Sequence, residues 1–254
     1  MKITDQLRRT LTITTAPKRI VSLVPSQTEL LVYLGLEDRI VGVTKFCIYP
    51  SSIRKSKTIV GGTKNYRFDV IESLKPDLII GNKEENEEEG VKQLMQKYPV
   101  WMSDIVTIGD SLEMIRSLGK LLDVEEKSEE MISQLQSDFL QTPKMRKKAI
   151  YLIWNDPVML AGKGTFINEM MPYAGFENVS EKERYPISSL DEIQEINPEY
   201  ILLSSEPFPF KEKHVENFKR RFPQSKVLLV DGTYFSWYGS RLMKSKAYFQ
   251  TLFI

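Results

Sequence analysis

The sequence predicts an α/β protein of two Rossmann-like lobes with mostly parallel sheets, joined by one long α-helix. Short apolar runs alternate with segments of helical periodicity, which indicates β-α-β units and sheets covered on both faces. Residues 110–140 contain no proline and keep apolar residues at helical spacing, which predicts the link. One short motif recurs 122 residues later in the chain, which predicts a duplicated architecture.

The first lobe is predicted over residues 1–109. Its strand candidates are the apolar runs at residues 20–24, 39–44, 77–81 and 99–103. A helix follows the first run, with Ser26 as its N-cap, Glu29 completing a capping box and Gly35 at its C-terminal end.

The linking helix is predicted over residues 110–142. A stripe from Leu112 to Leu122 continues through Ile132 to Phe139. A break near Asp123 is the alternative, giving two helices joined by a tight turn.

The second lobe is predicted over residues 143–254. Its strand candidates are residues 149–154, 200–205 and 226–230, and its helices lie near 164–175, 211–221 and 241–252.

The repeated motif reads "DVIESLKPDLII" from Asp69 and "DEIQEINPEYIL" from Asp191. In each copy an acid opens a short helix, where it suits the positive end of the helix dipole. A proline then ends the helix and a buried strand follows. The motif therefore occupies equivalent places in the two lobes.

Composition excludes several classes of function. The 254 residues carry a net charge of +1, so no strong field favours nucleic acid. Cys47 is the only cysteine, so no internal disulfide is possible. His214 is the only histidine, which excludes sites built from two or more histidines, and its charged surroundings predict a solvated surface position.

The N-terminal sequence shows neither a signal peptide nor a stretch that could span a bilayer. Two explanations stay open: the protein remains inside the cell, or a leader was removed.

The stretch "DGTYFSWYGSR", residues 231–241, follows a predicted strand and holds four aromatics in five positions: Tyr234, Phe235, Trp237 and Tyr238. Ligands bind beyond the carboxyl ends of strands in open α/β sheets. The stretch is therefore predicted to line a cleft between the lobes, with burial in the core as the alternative. Arg241 either pairs with a ligand carboxylate or caps the lobe.

The chain resembles the substrate-binding proteins of ABC importers for cobalamin, ferric siderophores or haem, in the class whose two lobes are bridged by a rigid helix. The cobalamin-binding, helical-backbone branch is the most similar. The motifs that carry the resemblance are "RIVSLVPSQTELLVYLG", "RIVGVTKFCIYP", "DVIESLKPDLIIG", "AGKGTFINEMMPYAGFENV" and "YPISSLDEIQEINPEYILLS".

This resemblance implies a flat metal chelate held between the lobes by aromatic side chains. The implied ligand-binding residues are Phe46, Tyr49, Trp154, Tyr185, Tyr234, Phe235, Trp237, Tyr238 and Arg241. The sequence lacks tryptophans near Thr63 and Asn82 and has Thr233 where an acid is expected, which leaves the ligand open. Cys47 fits a small buried hydrophobe, and metal ligation by Cys47 or Tyr49 is the alternative.

The resemblance also implies docking of one acid from each lobe onto arginines of a membrane permease. Asp69 and Asp191 match those positions, and Glu72 and Glu192 are the neighbouring alternatives. No catalytic residue, resident cofactor or nucleic acid is expected, and the protein is expected to be a monomer outside the cytoplasm. The rival functions are a chelatase-like enzyme that inserts metal into a tetrapyrrole and an intracellular binding or sensor protein without a transporter.

Overall fold

A computed structural model describes residues 2–253 of the chain, which form two compact units. Unit 1 holds the described residues up to Ile105, together with Gly109–Leu135 and Tyr238–Arg241. Unit 2 holds Val106–Ile108, Gln136–Trp237 and the described residues from Leu242 onward.

Unit 1 is built on a five-stranded parallel sheet. A small antiparallel hairpin, β1 (Lys2–Thr4) and β2 (Thr10–Thr12), precedes it. The sheet and its helices then follow as β3 (Ile20–Ser22), α1 (Pro25–Tyr33), β4 (Ile40–Val43), α2 (Ile53–Ser56), β5 (Thr58–Ile59), α3 (Phe68–Leu74), β6 (Leu78–Asn82), α4 (Glu88–Met95) and β7 (Val100–Ser103). The strand order is β5-β4-β3-β6-β7, and every pairing in this sheet is parallel.

The predicted linking helix is two helices, α5 (Ile108–Leu121) and α6 (Glu125–Asp138). Asp123 adopts a left-handed backbone conformation with φ 58°, which ends the first helix. Gly119 lets the two helices approach closely, because a Cβ at this position would lie 2.0 Å from Ser128 Oγ. The structure thus has the alternative arrangement, two helices joined by a tight turn. The apolar stripe continues across the turn and did not reveal it.

Unit 2 repeats the α/β architecture. Its elements are β8 (Lys147–Asn155), β9 (Val158–Leu160), α7 (Phe166–Met170), β10 (Phe176–Asn178), α8 (Leu190–Ile196), β11 (Tyr200–Ser204), α9 (Glu212–Arg221), β12 (Lys226–Val230), α10 (Thr233–Ser236) and α11 (Leu242–Gln250). The strand order is β10-β8-β11-β12 with parallel pairing, and β9 pairs antiparallel with β8. The prediction of mostly parallel α/β sheets is confirmed.

The start of α1 differs from the predicted capping box. Its N-cap is Val24, which makes no side-chain capping hydrogen bond, and Pro25 is the first helical residue. Ser26 is buried, with 2 % of its surface exposed. Proline suits this position because its fixed φ matches the helix and it lacks one of the N–H groups that a cap would otherwise satisfy. Gly35 ends the segment as predicted, with φ 83°.

None of the helices within residues 2–253 combines the length and the apolar character needed to cross a bilayer.

Candidate functional site

The loop after β4 displays large side chains at the carboxyl end of the unit 1 sheet. Phe46 is 49 % exposed, Ile48 39 % and Tyr49 36 %, whereas Cys47 between them is fully buried. The Cys47 amide donates to the Thr44 carbonyl at 3.1 Å, which anchors the loop. Its buried side chain therefore turns Phe46 and Tyr49, both predicted ligand residues, toward solvent.

The Cys47 thiol has a structural environment. Its Sγ lies 3.1 Å from Thr28 Oγ1 and 3.3 Å from Thr44 Oγ1, and burial raises the pKa of the thiol. The thiolate is the form that ligates metals. Burial and the raised pKa favour the hydrophobic role over metal ligation. Among residues 2–253 no three His, Cys, Asp or Glu side chains are grouped to hold a metal ion.

Arg241 belongs to unit 1, although it follows the last loop of unit 2 in sequence. Its guanidinium pairs with Glu29, with Nε–Oε2 and Nη2–Oε1 distances of 3.0 Å and 2.8 Å. Both side chains are largely buried, at 5 % and 16 % exposed. The same guanidinium lies 4.2 Å from the centre of the Tyr49 ring. Arg241 therefore secures its chain segment and Tyr49, and Glu29 serves this pair instead of a capping box.

Tyr238 also belongs to unit 1, where only 4 % of its surface is exposed. Its hydroxyl donates to Glu85 Oε1 at 3.1 Å, and burial raises its pKa well above the ordinary value. The next residue, Gly239, turns with φ 89° and donates its amide to Ser111 Oγ at 3.2 Å. The ring fills the interior of unit 1, which favours burial in the core over the ligand-facing position in the second lobe that was expected for Tyr238.

Phe235 is likewise a core residue, in unit 2. It is fully buried, and its ring centre lies 5.1 Å from that of Tyr151 and 4.9 Å from that of Phe249. No surface of the ring is accessible, which favours burial in the core, the alternative given for this stretch, over ligand contact by Phe235. Tyr234 is half-buried and stacks on Tyr248, with ring centres 4.3 Å apart.

Trp237 is held by a carboxylate that the sequence analysis did not select. Its indole Nε1 donates to Glu206 Oε1 at 2.9 Å, and Ser236 Oγ donates to the same oxygen at 2.6 Å. The ring is 7 % exposed. Glu206 lies two residues after the end of β11. Its position just beyond a central strand could have identified it from the sequence. The loop Thr233–Trp237 is therefore tied to the end of β11.

Trp154 is the most exposed of the predicted aromatics in unit 2, at 38 %. Trp154 lies near the end of β8. Its Nε1 donates to the Asp156 carbonyl at 3.1 Å, and its ring centre lies 5.6 Å from that of Phe208. Tyr185 is half-buried, with the Arg184 guanidinium 5.6 Å from its ring centre. Phe208 was missed because its segment, "EPFPF", has no helix or strand periodicity.

His214 is half-buried at the start of α9 instead of fully solvated. Its Nδ1 accepts a hydrogen bond from the Lys211 amide at 2.8 Å, and its ring meets the edges of Phe208 and Phe210. Burial is the main cause of a lowered pKa for this imidazole. The charged neighbours suggested a solvated side chain, but the aromatic segment before the helix covers it.

The four acids considered for docking differ in their surroundings. Asp69 is exposed near the start of α3 and forms no ion pair with any described residue. Asp191 is 87 % exposed and pairs with Arg221 at 2.6 Å. Glu72 pairs with Lys97, and Glu192 pairs with Lys182, both at 3.1 Å. In the Glu72 and Glu192 pairs, both side chains are about half exposed.

Asp69 and Asp191 alone among these acids occupy equivalent positions. They are 122 residues apart, whereas Glu72 corresponds to Gln194 and Glu192 to Val70.

Two cavities lie within the units. One of about 640 Å³ in unit 1 includes Tyr66, Phe68 and Gly90 in its lining. The other, of about 570 Å³ in unit 2, includes Phe139, Tyr173 and Phe249. Neither cavity is lined by a predicted ligand-binding residue.

Comparison with known proteins identifies relatives over most of the chain. An ABC transporter substrate-binding lipoprotein of Bacillus subtilis, YvrC, itself uncharacterized, is 28 % identical over 214 residues, covering 79 % of this chain and 68 % of that protein. A vitamin B12-binding protein of Salmonella typhimurium is 26 % identical over 197 residues, covering 74 % of this chain and 73 % of that protein.

A solved structure shares the fold. It is a possible iron-binding, periplasmic solute-binding protein of Staphylococcus epidermidis, 24 % identical, with a TM-score of 0.79 over 94 % of this chain and all of that one. The family described as "Periplasmic binding protein" matches residues 20–224, well over half of the sequence. The chain therefore belongs to the periplasmic binding protein family.

Proposed function

We propose that this chain is the substrate-binding component of an ABC-type importer for a metal-containing chelate, of the cobalamin, haem or ferric-siderophore class. The observation that carries the proposal is the aromatic surface at the carboxyl end of each sheet. Phe46 and Tyr49 provide it in unit 1 and Trp154 in unit 2, each at least 36 % exposed. Aromatic rings suit a flat conjugated ligand and lose little side-chain entropy on contact.

The proposed ligand contacts are narrower than those expected from the sequence. They keep Phe46, Tyr49, Trp154, Tyr185 and Tyr234, with Trp237 at the edge of the surface. Arg241 acts through Tyr49, and Glu206 acts through Trp237. The position of the chelate in a cleft between two lobes stays a prediction.

Titration of the whole chain against cyanocobalamin, haemin, a ferric hydroxamate and a ferric catecholate tests the proposal. Isothermal calorimetry is the readout, because it does not depend on quenching. One chelate is expected to bind with a Kd near or below about 1 µM, which corresponds to about −8 kcal/mol. Failure of all four to bind would contradict a chelate-carrying function.

Two variants then locate the surface. Trp154→Ala is expected to weaken binding of the successful chelate by about 1–3 kcal/mol, as loss of aromatic stacking does elsewhere. Trp101→Phe is the matched control, because Trp101 is fully buried in unit 1. Equal weakening in both variants would place the chelate away from Trp154.

Docking of Asp69 and Asp191 onto a membrane permease is the second part of the proposal. Their exposure and their equivalent positions support it. Replacing both by Ala is expected to leave chelate affinity unchanged and to slow association with a cognate permease, mainly through the association rate and its salt dependence. Glu130→Ala with Glu195→Ala removes one exposed acid from each unit, neither of them a docking candidate, and is the control.

The rival functions are separable by measurement. A binding protein turns over no substrate, so metal insertion into a free tetrapyrrole in the presence of the chain would identify the chelatase-like alternative. An extracytoplasmic location is part of the proposal, and recovery of the native protein only from the cytoplasm would favour a sensor without a transporter.

A further inference from the structure

A second surface lies on unit 2, away from the aromatic loops. The loop between α6 and β8 exposes Leu140 at 77 % and Met145 at 85 %, the two highest values among the exposed large hydrophobics. Phe253, just after α11, is 50 % exposed. Met145 and Phe253 line the same cavity of about 570 Å³, so the loop and the end of the last helix share one face of unit 2.

This face is rich in cations. Four of the five residues from 144 to 148 are basic: Lys144, Arg146, Lys147 and Lys148. Lys246 lines the same cavity. Lys147 pairs with Glu199 at 3.4 Å and Lys246 with Asp138 at 3.5 Å.

Lys144 and Arg146 form no ion pair with any residue in the described part of the chain, and both are exposed. Residues 139–148 contain no acid. The apolar tips of Leu140 and Met145 are therefore flanked by uncompensated positive charge.

An anionic phospholipid surface matches both properties. Apolar side chains enter the boundary between headgroups and acyl chains, while lysine and arginine remain at the lipid phosphates. An acidic protein partner would neutralise the basic side chains, but it would not account for the isolated, exposed side chains of Leu140 and Met145 on an irregular loop. We propose that residues 140–147 together with Phe253, the basic–apolar surface, contact an anionic phospholipid membrane.

Co-flotation of the whole chain with lipid vesicles tests this inference. Vesicles of phosphatidylcholine with about one third phosphatidylglycerol are expected to bind it about tenfold or more tightly than pure phosphatidylcholine, with binding that falls as salt is raised. Absence of binding, or equal binding to both vesicles at all salt concentrations, would overturn the proposal. No chelate or permease is present, so the result is independent of the importer function.

Two variants separate the contributions. Leu140→Ser with Met145→Ser is expected to lower binding about tenfold by removing apolar contact, and Lys144→Glu with Arg146→Glu is expected to abolish the preference for anionic vesicles. The matched control, Lys55→Glu with Lys120→Glu, makes the same charge change at exposed lysines of unit 1. Thermal unfolding confirms that each variant folds.

A loss in the control equal to that of Lys144→Glu with Arg146→Glu would attribute binding to overall charge and overturn the assignment. Self-association that depends on Leu140 and Met145, without vesicle binding, would identify a second copy of the chain as the occupant and overturn it equally.

Discussion

The two copies of the repeated motif have nearly the same backbone, although they lie in different units. The helix is Phe68–Leu74 in α3 and Leu190–Ile196 in α8, and each has seven residues. Each ends at a left-handed residue with φ 47°, Lys75 or Asn197. A proline and a five-residue central strand follow in both, all at an offset of 122 residues.

The acid after the proline performs the same task in each copy. The Asp77 carboxylate accepts the amides of Lys18 and Arg19 at 2.8 Å, next to β3. Glu199 accepts the amide of Lys148 at 2.9 Å, at the start of β8. Both acids thereby fix the start of the strand that pairs with the motif's own strand, which explains the recurring Pro-acid pair physically.

The copies differ at the helix start. Ser189 and Glu192 form a reciprocal capping box in α8, with hydrogen bonds of 3.1 Å and 3.0 Å. The equivalent residues of α3 are Arg67, which makes no side-chain cap, and Val70. The same helix therefore forms with and without polar capping, and burial and the C-terminal turn are the shared determinants.

Truncation of the shared apolar residue is expected to have the largest effect. Ile71 and Ile193 are equivalent and fully buried, each in the core of its own unit. Ile71→Ala and Ile193→Ala are each expected to lower the free energy of unfolding by about 2–5 kcal/mol through lost burial and the remaining cavity. Urea unfolding followed by fluorescence measures this, and a loss below about 1 kcal/mol in either copy would break the equivalence.

Replacing the residue at the N-cap position is expected to destabilise the second copy of the motif more than the first. Ser189→Ala is expected to cost about 0.5–2 kcal/mol, because it leaves the first-turn amides of α8 without their acceptor. Arg67→Ala at the equivalent position is expected to change stability by less than about 0.5 kcal/mol. Equal costs in thermal unfolding would show that the capping box contributes nothing specific.

The left-handed residues offer a gain in stability. Lys75→Gly is expected to stabilise the protein by about 0.5–1 kcal/mol, since relief of the Cβ strain exceeds the entropy lost by glycine. Asn197→Gly is expected to be nearly neutral, because asparagine tolerates this conformation. Lys75→Ala, which keeps the Cβ, is the control and should give no gain in melting temperature.

The smallest effect is a dependence on pH in one copy only. The hydrogen bond from Lys182, followed by that from the Ser189 amide, lowers the Glu192 pKa below its ordinary 4.5. A depressed carboxyl pKa gives stability that is present above the ordinary value and is lost as pH falls through the folded value. The difference in melting temperature between the wild type and Glu192→Gln should therefore shrink below about pH 4.5. Glu195→Gln, on the same helix but outside the capping box, should show no such change.

The periodic features of the fold were predictable from the sequence. Strands β3, β4, β6, β7, β8, β11 and β12 coincide with the predicted apolar runs. Strands covered on both faces of a parallel sheet are apolar throughout, and β7 and β12 keep an apolar sequence although each lies at a sheet edge. The edge strands β5 and β10 were missed, because they have only two and three residues and carry little pattern.

The candidate site was predicted less well, because exposure depends on partners distant in sequence. Phe46 and Tyr49 follow strand β4, Trp154 lies near the end of β8, and all three are exposed, as their positions suggested. Phe235 and Tyr238 follow a strand as well, yet α11 and unit 1 respectively enclose them. Nothing local to "TYFSWY" reveals that the chain changes units between Trp237 and Tyr238 and again after Arg241.

The buried position of Cys47 allows local opening of the structure around it to be measured by chemical modification. It is the only thiol in the sequence, it is fully buried, and its pKa is raised. A thiol reagent can modify it only when the loop after β4 separates from α1, so the modification rate in excess reagent measures how often that separation occurs. A chelate bound against Phe46 and Tyr49 would lower the rate of Cys47 modification, while one bound elsewhere would leave that rate unchanged.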